Sequence, residues 1–97
     1  MPAEQINRAA RRQKSFQPGT WMNGDQVITL HVLDISESGA RAHSPMPPSE
    51  GRCVPIVCGL PLGRAVVRWV SASTFGLEFV VPISTDTVAA VLKLTPR

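Results

Sequence analysis

A short basic segment near the start of the chain has the residue types needed to bind a phosphate. Arg8 and Arg12 form an R-x-x-x-R pattern, and Arg11 and Lys14 lie within the same segment, which only Glu4 precedes. The planar guanidinium group of arginine binds phosphate through two parallel hydrogen bonds and also stacks on nucleobases. A clustered positive charge of this kind favours a phosphate-bearing partner, whereas the alternative is a solvated tail that aids solubility.

A second polar motif closes the most strongly apolar segment of the chain. Asp34, Ser36 and Gly39 form a D-x-S-x-x-G pattern directly after the strand-like run Val27–Leu33. The alternation of apolar residues shifts at the end of this run, so a bulge or turn is expected beside the motif. Because side chains two apart on a strand share a face, Asp34 and Ser36 are expected to lie side by side on the surface. Gly39 follows polar turn residues, and we expect it to adopt a positive φ there, which glycine does without steric cost.

Together the two motifs, in this order, resemble the PilZ family of small β-barrels that bind the bacterial second messenger cyclic di-GMP. The resemblance implies that the basic arm folds around the two phosphates and two guanines of this ligand, and that the second motif lies beneath it. It also implies no catalytic activity, no cofactor and no metal. The ligand-binding residues that it implies are Arg8, Arg11, Arg12, Asp34, Ser36 and Gly39.

The register of the arginine motif has an alternative. The family often shows a doubled arginine, R-R-x-x-R, and here Arg11 and Arg12 could begin that segment, with Ser15 in the place of its last arginine. We prefer the Arg8/Arg12 register because, in the other one, the spacing of 19 positions from Ser15 to Asp34 is short. In the other register the clamp is incomplete.

The elements that must position these residues are short strands. Valine, isoleucine and threonine recur in brief runs that 7 glycines and 9 prolines interrupt, which is typical of an all-β sandwich or barrel. Asn23-Gly24 predicts a hairpin turn, and Pro18 and Gly19 predict a bulged or edge strand before it. Strands are predicted at 15–22, Val27–Ile35, Ala40–His43, Cys53–Cys58, Arg64–Val70 and Phe75–Val81.

The end of the chain changes to a helical period. Ser84 or Thr85 can cap a helix, and Val88, Val91 and Leu92 follow at spacings of three and four. We therefore predict a flexible arm over residues 1–14 and one domain over 15–97 that ends in a helix at 84–94. The family resemblance implies that this domain is a six-stranded antiparallel Greek-key β-barrel.

The remaining candidates for chemistry favour structural roles. Cys53 and Cys58 are expected to be free thiols on opposite faces of one strand. His31 and His43 have no further metal ligands near them in sequence, and each is expected to face solvent. Trp21 and Trp69 are expected in the core, although a guanine could stack on an exposed tryptophan.

Two outward arginines and one serine complete the list of candidates. Arg41 and Arg68 could border the ligand. Ser36 lacks the histidine and acid partners of a hydrolase, so an enzyme is the least favoured class.

The leading hypothesis is a cytoplasmic cyclic di-GMP receptor that signals when the ligand orders the arm and so creates a contact surface for a partner protein. No signal peptide or membrane span is predicted, since no apolar run is long enough. The main alternative is a PilZ-like interaction module that does not bind the nucleotide. A nucleic-acid binder is disfavoured by the net charge of only +3 and by the absence of tyrosine.

Overall fold

The computed structural model describes residues 13–93, which form a closed antiparallel barrel followed by one helix. The strands follow one another around the barrel in the order β1-β2-β3-β6-β5-β4, so the predicted six-stranded Greek-key barrel is confirmed. The elements are β1 (Gln13–Asn23), β2 (Gln26–Ile35), β3 (Gly39–His43), β4 (Cys53–Val57), β5 (Pro61–Ser71), β6 (Thr74–Phe79) and α1 (Thr85–Lys93).

The first hairpin is longer than the sequence pattern predicted. β1 begins at Gln13 and runs for 11 residues, so it starts two residues before the strand predicted at 15–22. Pro18 and Gly19 pair with β2 without a break, and the irregularity lies instead between Lys14 and Gln17. The turn at Gly24, which has a φ of 62°, is the one that Asn23-Gly24 predicted.

The barrel interior is filled by the alternating apolar residues of every strand. In β2, Ile28, Leu30 and Val32 point inward, and in β6 Phe75, Leu77 and Phe79 do the same. This period-two pattern is what a barrel with one dry face requires. Pro55 was expected near the edge of a sheet, but the barrel is closed and leaves no free edge there. It is tolerated beside the seam between β1 and β4, which pairs only Ile56 and Val57 of β4 with β1.

The helix is anchored at both its cap and its apolar face. The hydroxyl of Ser84 accepts a hydrogen bond from the backbone N–H of Thr87 at 3.0 Å, so Ser84 is the N-cap. Val88 and Val91 are buried against the barrel core. The described helix, Thr85–Lys93, lies inside the predicted range 84–94. Among residues 13–93, no helix has the length and apolar character needed to cross a bilayer.

The two cysteines are free and lie in different environments, as predicted. Cys53 is exposed, whereas Cys58 is buried, and its Sγ lies 3.6 Å from the carbonyl oxygen of Pro18. Burial raises the pKa of the Cys58 thiol from 9.0 to about 11. Since the thiolate is the reactive species, the two side chains should differ strongly in reactivity.

We therefore expect one thiol of the native protein to react rapidly with a thiol-specific alkylating reagent at pH 8, and both to react after denaturation. Intact mass measured against time checks this, with Cys53→Ser as the control that should lose the rapid phase. Rapid modification of both cysteines in the folded protein would show that Cys58 is not protected as the structure indicates.

Candidate functional site

Asp34 forms an ion pair with Arg41 on the neighbouring strand. The two residues are direct partners between β2 and β3, and Nε of Arg41 lies 3.0 Å from Oδ2 of Asp34. A register shift between Val32 and Asp34 marks a bulge at Leu33, where the sequence period had predicted one. Bulges re-aim side chains and are common next to functional sites. The Asp34 side chain is only 12% exposed, whereas that of Arg41 is 44% exposed.

This ion pair lies in the middle of a row of residues that crosses four pairs of strands. Lys14 of β1 is the partner of Asp34, and Gly76 of β6 is the partner of Arg41. Gly76 in turn pairs with Trp69 of β5. We call Lys14, Asp34, Arg41, Gly76 and Trp69 the cross-barrel row. It places two cationic side chains, one carboxylate and one indole in register on neighbouring strands.

Trp69 is 40% exposed, so the expectation that it lies in the core is wrong. The register of β5 against β6 shifts between Val67 and Trp69, and a shift of one residue moves a side chain to the opposite face. The indole lies against Gly76, because a Cβ atom at that position would overlap its Nε1 and Cε2 atoms. A glycine inside a strand pattern is the sequence signal that could have indicated such a close approach.

Beside the cross-barrel row lies a concavity of about 230 Å³. The indole of Trp69 forms one wall, and the ion pair between Arg68 and Glu78 forms another. Ser38 and Gly39, from the second motif, also line it. The concavity therefore brings the D-x-S-x-x-G turn together with an aromatic face and a guanidinium group from distant parts of the sequence.

Ser36 organises the turn that carries the motif. It is 3% exposed, and its hydroxyl oxygen accepts hydrogen bonds from the backbone N–H groups of Ser38 and Gly39, each at 3.3 Å. Its own N–H donates to the carbonyl of Gly39 at 2.8 Å. The residue type is explained by this short-range pattern, which serine favours at turns. Contact between Ser36 and a ligand stays a prediction.

Gly39 is required for a reason other than the one that the sequence suggested. It is not among the glycines with positive φ, so the expectation of a left-handed conformation is wrong. Instead, a Cβ atom at Gly39 would overlap the carbonyl oxygen of Leu77 on β6. Gly39 therefore permits the close approach of β3 and β6 at the edge of the concavity.

The arginines of the first motif, Arg8, Arg11 and Arg12, lie outside the described residues. The described chain begins in β1 directly after these arginines, where Gln13 pairs with Ile35 and Lys14 pairs with Asp34. The start of β1 therefore lies beside the carboxylate of the second motif. Among residues 13–93, no group of three or more His, Cys, Asp or Glu side chains is arranged to hold a metal ion.

Comparison with protein families identifies the class of domain that this fold and this site define. The model of the PilZ domain matches residues 6–95, which is nearly the whole chain. The chain therefore belongs to the PilZ family, as the two motifs predicted. The matched region includes the arginine motif as well as the barrel. No significant match was found among curated proteins or among solved structures.

Proposed function

We propose that this protein is a cytoplasmic receptor for cyclic di-GMP with no catalytic activity of its own. PilZ domains are receptor and adaptor modules, and the family is known for binding this nucleotide. The observation that carries the proposal is the cross-barrel row, which sets Asp34 and Arg41 in register with Trp69 beside the D-x-S-x-x-G turn. A carboxylate, a guanidinium and an aromatic face can together bind a guanine and a neighbouring phosphate.

Each group of the row has a distinct role in this proposal. The carboxylate of Asp34 can accept hydrogen bonds from the N–H groups on the Watson–Crick edge of a guanine. The flat face of the guanine can stack on the indole of Trp69. The guanidinium of Arg41 uses Nε to hold Asp34, and its terminal N–H groups can then bond a phosphate or the O6/N7 edge of a guanine. Arg8 and Arg12 of the arm would close over the ligand and bind its phosphates.

The turn that carries the motif is hydrogen-bonded to the segment that begins the C-terminal helix. These bonds support the proposal that ligand binding at the turn affects the helix. The carbonyl of Glu37 accepts a hydrogen bond from the N–H of Ile83 at 2.9 Å, and the carboxylate of Glu37 accepts one from the hydroxyl of Thr85. The carbonyl of Ser38 accepts from the N–H of Phe79 at 2.9 Å. A ligand that shifts this turn would therefore act on the start of α1, and we propose that a partner protein detects the ordered arm together with this end of the barrel.

The second candidate function is a PilZ interaction module that does not bind the nucleotide. One observation favours it: Asp34 already has Arg41 as an ion-pair partner, and its side chain is largely covered. A ligand must share this carboxylate with Arg41 or displace it. The alternative arginine register favours the same candidate, since it would place the last position of the clamp at Ser15, inside β1.

The arm should become ordered when the ligand binds. Apart from Met1 at the terminus and Ile6, residues 1–12 have no large apolar side chain whose burial could offset the entropy of ordering, and their positive charges repel one another. In the free protein we expect backbone order parameters below about 0.6 in this segment, rising towards rigid values around Arg8–Arg12 in the complex. NMR relaxation of the full chain, with and without cyclic di-GMP, measures this.

In the same titration, β2 from Val27 to Leu33 should change little. An arm that is already rigid without ligand would contradict the ordering mechanism. The mechanism would also be contradicted if the order parameters of the arm do not rise in the complex. Shifts of the amide signals of Asp34–Gly39 would show in that experiment that the ligand is bound.

Trp69 should contribute a stacking contact that the sequence did not assign to the site. We expect Trp69→Ala to weaken cyclic di-GMP binding by roughly 1–3 kcal/mol, the range for one base stacked on an aromatic side chain. Trp69→Phe should recover part of that loss. Val70→Ala is a matched control, because Val70 is a neighbouring exposed apolar residue on β5 that does not line the concavity. Equal affinity of Trp69→Ala and the parent in calorimetry would remove Trp69 from the site.

A further inference from the structure

His31 and His43 are brought together by the barrel, although the sequence gives no ligand pattern around either. They are direct cross-strand partners between β2 and β3. Both belong to the outward-facing set of their strands: the inward neighbours Leu30, Val32 and Ala42 are buried, whereas His43 is exposed and His31 is half-buried. Direct partners in an antiparallel pair have Cβ atoms about 4.5–5.5 Å apart, so the two imidazoles share one small area of the surface.

Both imidazoles have nitrogen atoms available to a ligand. Within the described residues, the side chain of neither histidine takes part in a hydrogen bond or an ion pair. Among residues 13–93, the ring contact of this pair is made by Phe16, whose ring stacks on that of His31 with centroids 5.1 Å apart and an interplanar angle of 20°. Stacking covers a face of the imidazole and leaves the edge that carries the nitrogens free of that contact.

Phe16 is held in an unusual position to make this stack. It lies in the irregular part of β1 with a φ of 119°, a backbone angle that residues other than glycine rarely adopt. Its side chain is 61% exposed. Strained residues of this kind persist where the surrounding structure determines them, and they cluster at functional sites. The effect here is that the ring of His31 is restrained in orientation beside His43, which reduces the entropy that a bridging ligand must remove.

We propose that His31 and His43 form a two-imidazole site for a borderline-soft divalent transition metal, of which Ni²⁺ and Zn²⁺ are representative. Neutral imidazole is the side chain best suited to these metals, and oxygen-preferring ions such as Mg²⁺ or Mn²⁺ would not be retained by it. Water would complete the coordination, since the described residues supply no third His, Cys, Asp or Glu ligand. This site does not depend on the nucleotide-binding proposal.

The position of the pair places the bound metal close to the cross-barrel row. His43 lies two residues from Arg41 on the same strand and face, a separation of about 7 Å. A bound dication would add positive charge beside the cross-barrel row. It would thus favour any anion that binds there.

The experiment is a titration of the full chain with NiCl2, carried out in a Cys53→Ser background because the exposed thiol is a competing ligand. Calorimetry should show one Ni²⁺ bound per chain, whereas MnCl2 should give no binding. Even the loss of an outer-shell partner weakens metal binding by about 10–100-fold, so His31→Gln and His43→Gln should each weaken it by at least about tenfold. Paramagnetic Ni²⁺ should broaden amide signals centred on His31 and His43.

His43→Gln should leave the fold intact, since His43 is exposed and is not part of the core. Arg64→Gln, on β5, which pairs with neither β2 nor β3, should leave Ni²⁺ binding within about twofold of the parent, because it removes no metal ligand. Absence of Ni²⁺ binding, binding that survives either histidine substitution, or broadening centred elsewhere would each overturn the proposal. None of these results depends on whether the protein binds cyclic di-GMP.

Discussion

Replacing both Arg8 and Arg12 by alanine should reduce the affinity for cyclic di-GMP by two to four orders of magnitude while leaving the barrel folded. A hydrogen bond to a charged group is worth roughly 1.5–3 kcal/mol, so two such contacts amount to roughly 3–6 kcal/mol if they act independently. Both residues precede β1, so their removal takes nothing from the described core. Calorimetry measures the loss of binding free energy, and each single substitution should account for about half of that loss.

The matched control is the double variant Arg52→Ala/Arg64→Ala, which removes the same two charges from elsewhere on the barrel. Arg52 bonds Asn23 at 3.0 Å, lies over the ring of Trp21 and does not line the concavity. Arg64 lies on β5 but does not line the concavity. Equal weakening in the two double variants would mean that only the overall charge matters. Unchanged affinity in the Arg8/Arg12 variant would refute the clamp.

Replacing Gly39 by valine should be the most damaging single substitution at the candidate site for stability. The added Cβ would overlap the carbonyl oxygen of Leu77, which belongs to the backbone of β6 and cannot rotate away. The β3–β6 ladder would have to spread, at a cost of about 2–3 kcal/mol. For a domain of this size that corresponds to a fall in melting temperature of at least roughly 8 °C, measured by calorimetry or circular dichroism.

Asparagine substitutions separate this steric explanation from a conformational one. Asparagine tolerates a left-handed backbone far better than alanine or valine does. If close packing is the reason for glycine, Gly39→Asn should destabilise at least as much as Gly39→Ala. At Gly24, which has a φ of 62° and open space around it, Gly24→Asn should be milder than Gly24→Val. A Gly39→Asn variant more stable than Gly39→Ala would contradict the steric account.

Local features of the fold were readable from the sequence because the interactions that cause them are short in range. The hairpin at Asn23-Gly24, the alternation of β6 and the N-cap at Ser84 each depend on a few consecutive residues. The bulge near Leu33 was visible as a change in the apolar period. The turn of the second motif is also a short-range feature, because the hydroxyl of Ser36 accepts hydrogen bonds from backbone N–H groups two and three residues further on.

Features that depend on how distant strands meet could not be predicted. The exposure of Trp69 results from a register shift between β5 and β6, which the alternation within β5 alone does not reveal. The need for glycine at position 39 results from the approach of Leu77, far along the chain. In the same way, His31 and His43 became neighbours only through the pairing of β2 with β3.

The central claim is tested most directly by a calorimetric titration of the full chain with cyclic di-GMP at low and at moderate ionic strength. The proposed function predicts saturable binding, with an affinity that falls as salt is added because the proposed contacts are between arginines and phosphates. The Trp69→Ala variant should bind more weakly at both ionic strengths. No heat and no change in the amide signals of Asp34–Gly39 at millimolar ligand would contradict the claim and favour the interaction module that does not bind the nucleotide.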